Sequence, residues 1–264
     1  MLPRLLCLAL LSVCATSLSS RAASTTERAA TPEEISLLND TLHKVAGDLH
    51  RWAYTEHRVL RDSKGKVKSE QIVRYDPSKP FAEQWTPIKI DGKEPSARDQ
   101  AKFRRRGEDA DPERLVSSKR RQPSLGEAID VNRSAIAEET ATHWVFEIPL
   151  LKTASERFPS EKFQVQARVK KEGRILENIS VLLRASFRAM LVVKVKSGDA
   201  SLDFAQVDPK FPSTLVAIAG DADWSILFIG SGRSIELKRA ELKHVKPYAE
   251  RFEVKIGTLK AIDF

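Results

Sequence analysis

The chain has 264 residues, with 44 Lys and Arg against 36 Asp and Glu, a formal charge of +8, 41% hydrophobic and 30% charged residues. That is enough chain to bury a sizeable core and too much apolar content for a disordered protein. The two cysteines, Cys7 and Cys14, both lie near the N-terminus, which excludes a disulfide framework for the rest.

Residues 1–22 read as a Sec signal peptide. Arg4 supplies a short positive region, residues 5–15 are apolar, small residues follow through Ala23, and the cut falls after Ser20-Arg21-Ala22. The apolar run is too short to span a membrane as a helix. A lipoprotein signal is the alternative, with Leu11-Ser12-Val13 leading to lipidation at Cys14, although Val13 stands where a small residue is expected. Export to the bacterial periplasm is the expectation, with residues 23–264 forming one β-rich domain. On an exported chain a basic surplus favours anionic head groups or other polyanions over nucleic acid, or it serves solubility alone.

Residues 22–30 are small and polar and predict a flexible leader. A helix follows: Thr31-Pro32-Glu33-Glu34 combines an N-cap, proline at the first helical position and glutamate at the third, and Ile35, Leu38, Leu42, Val45 and Leu49 make one apolar stripe ending near 47–50. From Arg51 the period changes to two. Strands are predicted over 52–60, 67–75 and 81–90, with Pro87 marking the third as a sheet edge or a bulge.

Residues 95–133 read as a charged mobile insertion. Ser96-Ala97-Arg98-Asp99 caps a short helix through Arg106, whereas 107–122 holds few large apolar residues. Its basic clusters, Arg104, Arg105 and Arg106, then Lys119, Arg120 and Arg121, lack the interleaved aromatics of single-stranded nucleic-acid binders, so no nucleic acid is expected. They are either a solvated loop or a basic surface for an anionic membrane.

The strongest pattern in the chain is 161–184. Phe163, Val165, Ala167 and Val169 alternate with polar residues, Glu172-Gly173 supplies a turn, and Ile175, Ile179, Val181 and Leu183 return on one face, which predicts a β-hairpin. Before it, 140–151 reads as a strand presenting Trp144, Phe146, Ile148 and Leu150. After it, strands are predicted over 187–196, 201–207, 213–219, 224–229, 233–238, 251–256 and 258–262. Turns at Gly198-Asp199, Asp208-Pro209, Gly220-Asp221, Gly230-Ser231-Gly232 and Gly257 separate them. The 213–219 run is equally compatible with a helix, and 238–246 with a short helix before Pro247. The fold class is therefore α+β: a large antiparallel sheet of about eleven strands, curved into an open half-barrel and covered by a few helices.

No residue pattern carries catalysis. His43, His50 and His57 are seven apart, roughly 10 Å along a helix, too far for two imidazoles to share a metal ion. Asp221-Ala222-Asp223 lacks the glycine and closing glutamate of a calcium loop, Gly230-Ser231-Gly232 lacks the flanks of a nucleophile elbow, and no carboxylate pair stands out. The expectation is a protein that is not an enzyme and holds no metal or cofactor. Trp52, Tyr54, Trp85, Trp144 and Phe146 fall on predicted strands, where such residues either form core or line a hydrophobic pocket.

An exported chain with a capped helix, then RWAYTEHRVLRDSKGKVKSEQIVRYDPSKPFAEQW through IKIDGKEP, resembles the lipoprotein-localisation carriers LolA and LolB and the related sensor RseB. The resemblance lies in the order of elements: helix, strands with an aromatic such as Trp85, a turn such as Asp91-Gly92, then many more strands. It implies a half-barrel whose cavity takes acyl chains, and the charged insertion departs from that pattern. The expected function is non-enzymatic binding of a lipid, acyl chain or lipoprotein segment. The alternative is an interaction module that uses a strand edge or the basic insertion to meet a protein or an envelope polyanion.

Overall fold

The computed structural model describes residues 27–111, 128–151, 159–190, 193–226 and 229–251. Two α-helices, α1 (Pro32–Asp48) and α2 (Ala97–Glu108), accompany twelve strands: β1 (Arg28–Ala29), β2 (Trp52–Asp62), β3 (Val67–Tyr75), β4 (Trp85–Ile90), β5 (Ala135–Glu139), β6 (His143–Ile148), β7 (Phe163–Lys170), β8 (Ile175–Leu183), β9 (Phe187–Met190), β10 (Val193–Ala205), β11 (Thr214–Ile226) and β12 (Ile229–His244). They form one antiparallel sheet in the order β1-β5-β6-β7-β8-β10-β11-β12-β2-β3-β4, with β9 paired to β10. The sheet is open and not strongly curled. No helix among the described residues is long and apolar enough to cross a membrane.

Both helices start as the sequence dictates. Thr31 Oγ1 accepts the Glu34 amide at 3.3 Å while the Glu34 carboxylate accepts the Thr31 amide at 2.8 Å; Ser96 and Asp99 repeat the reciprocal cap at α2. Leu38 and Val45 of the α1 stripe are buried in the main core with Ile136, Phe146, Val165, Ala167 and Ile179.

One register row crosses nearly the whole sheet and decides which face is which. Ile136, Phe146, Ala167, Ile179, Leu202, Ile218 and Leu237 lie directly opposite one another from β5 to β12, and the row continues into Arg58 of β2 and Gln71 of β3. Opposed residues share a face, and along a strand every second residue returns to it. Tyr54 and Glu56 therefore lie on the same face as the α1 core, and so do Tyr75 and Trp85, opposed to Tyr54 through the β2–β3–β4 ladder. Both helices cover this one face: α1 sits over β5 to β8 and α2 at β4.

The 161–184 hairpin forms as β7 and β8, turned at Gly173, whose φ of 75° is a left-handed value. A bulge at Glu177 breaks the β8 alternation: Val169 faces Leu176 while Arg168 faces Asn178, so Leu176 is buried and Ile175 only partly so. Pro87 lies on the edge strand and beside a bulge.

Several expectations are corrected. Arg28–Ala29, expected within a flexible leader, pairs with β5, itself not foreseen. Residues 81–83 are a 3₁₀ turn, so β4 begins only at Trp85. Gly198-Asp199, Gly220-Asp221 and Gly230-Ser231-Gly232 are not turns: they lie inside β10, β11 and β12, where Gly198 opposes Ala222, Ala200 opposes Gly220 and Asp223 opposes Gly232. The strand expected over 213–219 forms as part of β11 from Thr214, the helical alternative not being taken up, whereas in place of a helix at 238–246 β12 runs on to His244, paired with Trp52. The strands expected over 251–256 and 258–262 lie outside the described residues but for Arg251. The 95–133 segment is helical over Ala97–Glu108, with Phe103 buried, and residues 112–127 lie outside the described residues.

Candidate functional site

Two places on the helix-bearing face carry chemistry. The first is an open cleft of about 460 Å³ between α1, the β7–β8 turn and the β10–β11 connection. Leu37, Val45, Ile175, Leu176, Phe211 and Pro212 make its apolar walls, and Asp40, Lys44 and Arg51 add charge. Its end is braced by Asp48, which accepts the Trp52 indole N–H at 2.7 Å and pairs with His244 Nε2 at 3.0 Å. The His244 ring stacks on Phe211 with centroids 3.6 Å apart, and Trp52 meets both rings edge-on. Ser213 Oγ, another lining group, is buried with no hydrogen-bond partner.

The second is a ladder of arginines and aromatics under α2. Tyr54, Tyr75 and Trp85 follow one another across β2, β3 and β4 at 5.1 and 4.4 Å. The Arg239 guanidinium lies 3.9 Å from the centre of the Tyr54 ring and that of Arg106 3.6 Å from the centre of Trp85. Glu56 stands between two arginines, 2.7 Å from Arg58 Nη2 and 3.6 Å from Arg239 Nε. The Nε atoms of Arg58 and Arg239 are both buried without a hydrogen-bond partner. Burial pushes the Tyr54 phenol up to about 12 against the pull of Arg239, and it raises Tyr75 as well. Burial, then the positive charge of Arg58, lowers the pKa of Arg106.

α2 is held over this ladder by Gly107. A β-carbon there would overlap the Phe81 carbonyl oxygen, so the helix comes down on backbone and only glycine fits. Phe103, one turn earlier, is buried on the same side, and Arg106 is thereby laid on Trp85.

The five aromatic candidates fall in three places on the sheet. Trp52, Tyr54 and Phe146 are buried in the core; Trp85 joins Tyr54 through Tyr75, Trp144 lies 6.4 Å from Phe146, and Trp52 stands with Phe211 and His244. None of the five is a lining residue of the cleft. Arg104 and Arg105 are exposed on α2, while Lys119, Arg120 and Arg121 lie outside the described residues. His43 is exposed on α1, His50 pairs with Glu250, His57 with Glu70 and His143 with Glu177. Asp221 and Asp223 sit mid-strand in β11.

Asp48, Phe211 and His244 at the cleft, and Glu56, Arg58 and Arg239 at the ladder, were not foreseen. Glu56 and Arg58 did carry a signal, since they share the alternating face of Trp52 and Tyr54, where apolar residues would be expected. The approach of Arg239 depends on β12 pairing with β2 and has no local signature.

No protein-family model matches this chain, and no curated protein matches it.

Proposed function

We propose that this chain is an exported, periplasmic, non-enzymatic protein that takes a lipid, an acyl chain or a lipoprotein segment against the helix-bearing face of its sheet. The observation that carries this is the α1 cleft, open to solvent and within the size range of small-molecule sites, in which walls formed by Leu37, Val45, Ile175, Leu176, Phe211 and Pro212 share the lining about equally with polar and charged groups. An acyl chain lying on those walls gains roughly 0.8 kcal/mol per buried methylene. Charge from Asp40, Lys44 and Arg51 beside the walls suits an amphiphile better than a wholly apolar ligand. The open sheet with both helices on one face supports a shallow half-barrel of the kind found in LolA, LolB and RseB.

Native mass spectrometry and lipid extraction of protein purified from its own periplasm test the proposal. Retained lipid is the expected result. Protein that carries none and takes up none from mixed vesicles would sink it.

The second reading, an interaction module, draws on the exposed Arg104 and Arg105 of α2 rather than on the β4 edge. That edge is protected against strand addition, because Pro87 offers no N–H, a bulge sits beside it and Lys89 is exposed.

A further inference from the structure

We propose that Arg58, Arg106 and Arg239 form a binding site for an oxyanion, a carboxylate or phosphate group, on the sheet face under α2. The guanidiniums of Arg58 and Arg239 flank Glu56 and that of Arg106 lies further along the ladder over Trp85, three positive charges to one negative. Arginines are costly to bring together in a half-buried place unless an anion completes them, and their planar forks match the two oxygens of a carboxylate or phosphate. Glu56 satisfies them only in part: its Oε1 holds Arg58 Nη2 and its Oε2 lies 3.6 Å from Arg239 Nε, but the Nε atoms of Arg58 and Arg239 remain buried without a hydrogen bond.

The rings also restrain the donors. Trp85 and Tyr54 each hold one guanidinium against a ring face, Arg106 at 3.6 Å and Arg239 at 3.9 Å from the ring centre, which limits where their N–H groups can go. Glu56, at 4% side-chain exposure, and Arg239, at 14%, lie deep, whereas Arg58 keeps 33% and Arg106 is exposed. The site is therefore closed below and open where Arg58 and Arg106 meet solvent. An anion entering there reaches Arg58 and Arg106 first and Arg239 last. This inference does not depend on lipid binding at the α1 cleft, since it names the charged group whichever molecule carries it.

The test follows the arginine Nε–H resonances of the full mature chain by NMR, with inorganic phosphate, acetate, dodecyl phosphate, laurate and neutral dodecanol as probes. The expected result is a saturable shift of the Arg58 and Arg239 Nε–H signals with phosphate or acetate, or with the two anionic amphiphiles but not dodecanol. The first pattern identifies a free anion and the second a lipid head group. Loss of a charge-assisted bidentate contact should weaken binding about tenfold in Arg239→Gln. Should that buried change unfold the chain, Arg58→Gln and Arg106→Gln, both nearer the surface, carry the same expectation. The proposal is overturned if none of the four anionic probes moves these signals, or if the affinity is unchanged in the arginine variants.

Discussion

Arg28, Glu34, Glu139, Trp144 and Lys171 show how single side chains secure an edge that has almost no sheet of its own. β1 is two residues long, yet the Arg28 guanidinium donates to both oxygens of Glu34 at 2.7 Å and to Glu139 at 2.8 Å, tying β1 to the start of α1 and to β5. Lys171 donates to Glu139 from the other side at 2.7 Å, and the Trp144 indole adds a further bond. Lys171, then Arg28, hold the Glu139 carboxyl at a pKa of about 2, below its ordinary 4.5. A carboxyl with a lowered folded pKa stabilises the fold above its unfolded value and loses that contribution as it protonates. The Glu139 contribution is therefore complete above about 4.5 and disappears as pH falls toward 2. Since Glu139 and Arg28 are both more than a third exposed, salt screens the effect. Carboxyl NMR titration should place Glu139 near 2 in low salt and move it back toward 4.5 in Lys171→Met. A midpoint near 4.5 in the unmodified chain would contradict the network.

At the scale of elements, α2 depends on one close approach. Gly107→Ala forces a methyl group into the Phe81 carbonyl, which sits in a 3₁₀ turn with no side-chain slack to absorb it. The cost should reach about 3 kcal/mol, the upper end for an overpacked contact, and α2 should lift while the rest of the sheet stays. Thermal unfolding measures the loss, and a change in Trp85 fluorescence reports separation of Arg106 from its ring. An unchanged melting temperature would show that α2 is not seated as described. Milder contacts accompany the glycines that misled the strand assignment. In Gly198, Gly220 and Gly232 the backbone keeps negative φ, and a β-carbon would lie 3.6 Å from Asp221 O, 3.0 Å from Asp199 O and 3.2 Å from Ala222 O respectively. Gly220 and Gly232 thus permit close packing of long strands rather than reversal, while the contact at Gly198 is an ordinary one. Nothing local separates the two uses, because Gly-Asp suits a turn as well as a narrow strand crossing. By contrast, the two capping boxes and the β7–β8 hairpin were legible because their determinants lie within four residues of one another.

At the scale of the whole molecule, the large antiparallel sheet followed from alternating patterns, but its order did not. β12 beside β2 joins residues nearly at opposite ends of the chain, and backbone ladders of this kind leave no mark on composition. That pairing also builds the arginine ladder, so the candidate oxyanion site stayed hidden while its residues looked like the wet faces of separate strands. The placement of α2 in turn decides how the two functional readings are best separated. Removing the charged segment from Gly107 onward would unseat the helix and disturb the ladder, so any loss of binding would be ambiguous. Replacing only residues 112–122 with a glycine-serine linker keeps Phe103, Arg106 and Gly107 and removes Arg114, Lys119, Arg120 and Arg121. If ligand binds on the sheet face, the variant should melt as the parent does and retain the same lipid in native mass spectra. Its affinity for vesicles rich in anionic lipid should fall by roughly 1 kcal/mol for each basic residue lost near the surface. Loss of the retained lipid from a variant that still melts normally would move the binding function from the sheet to the charged segment.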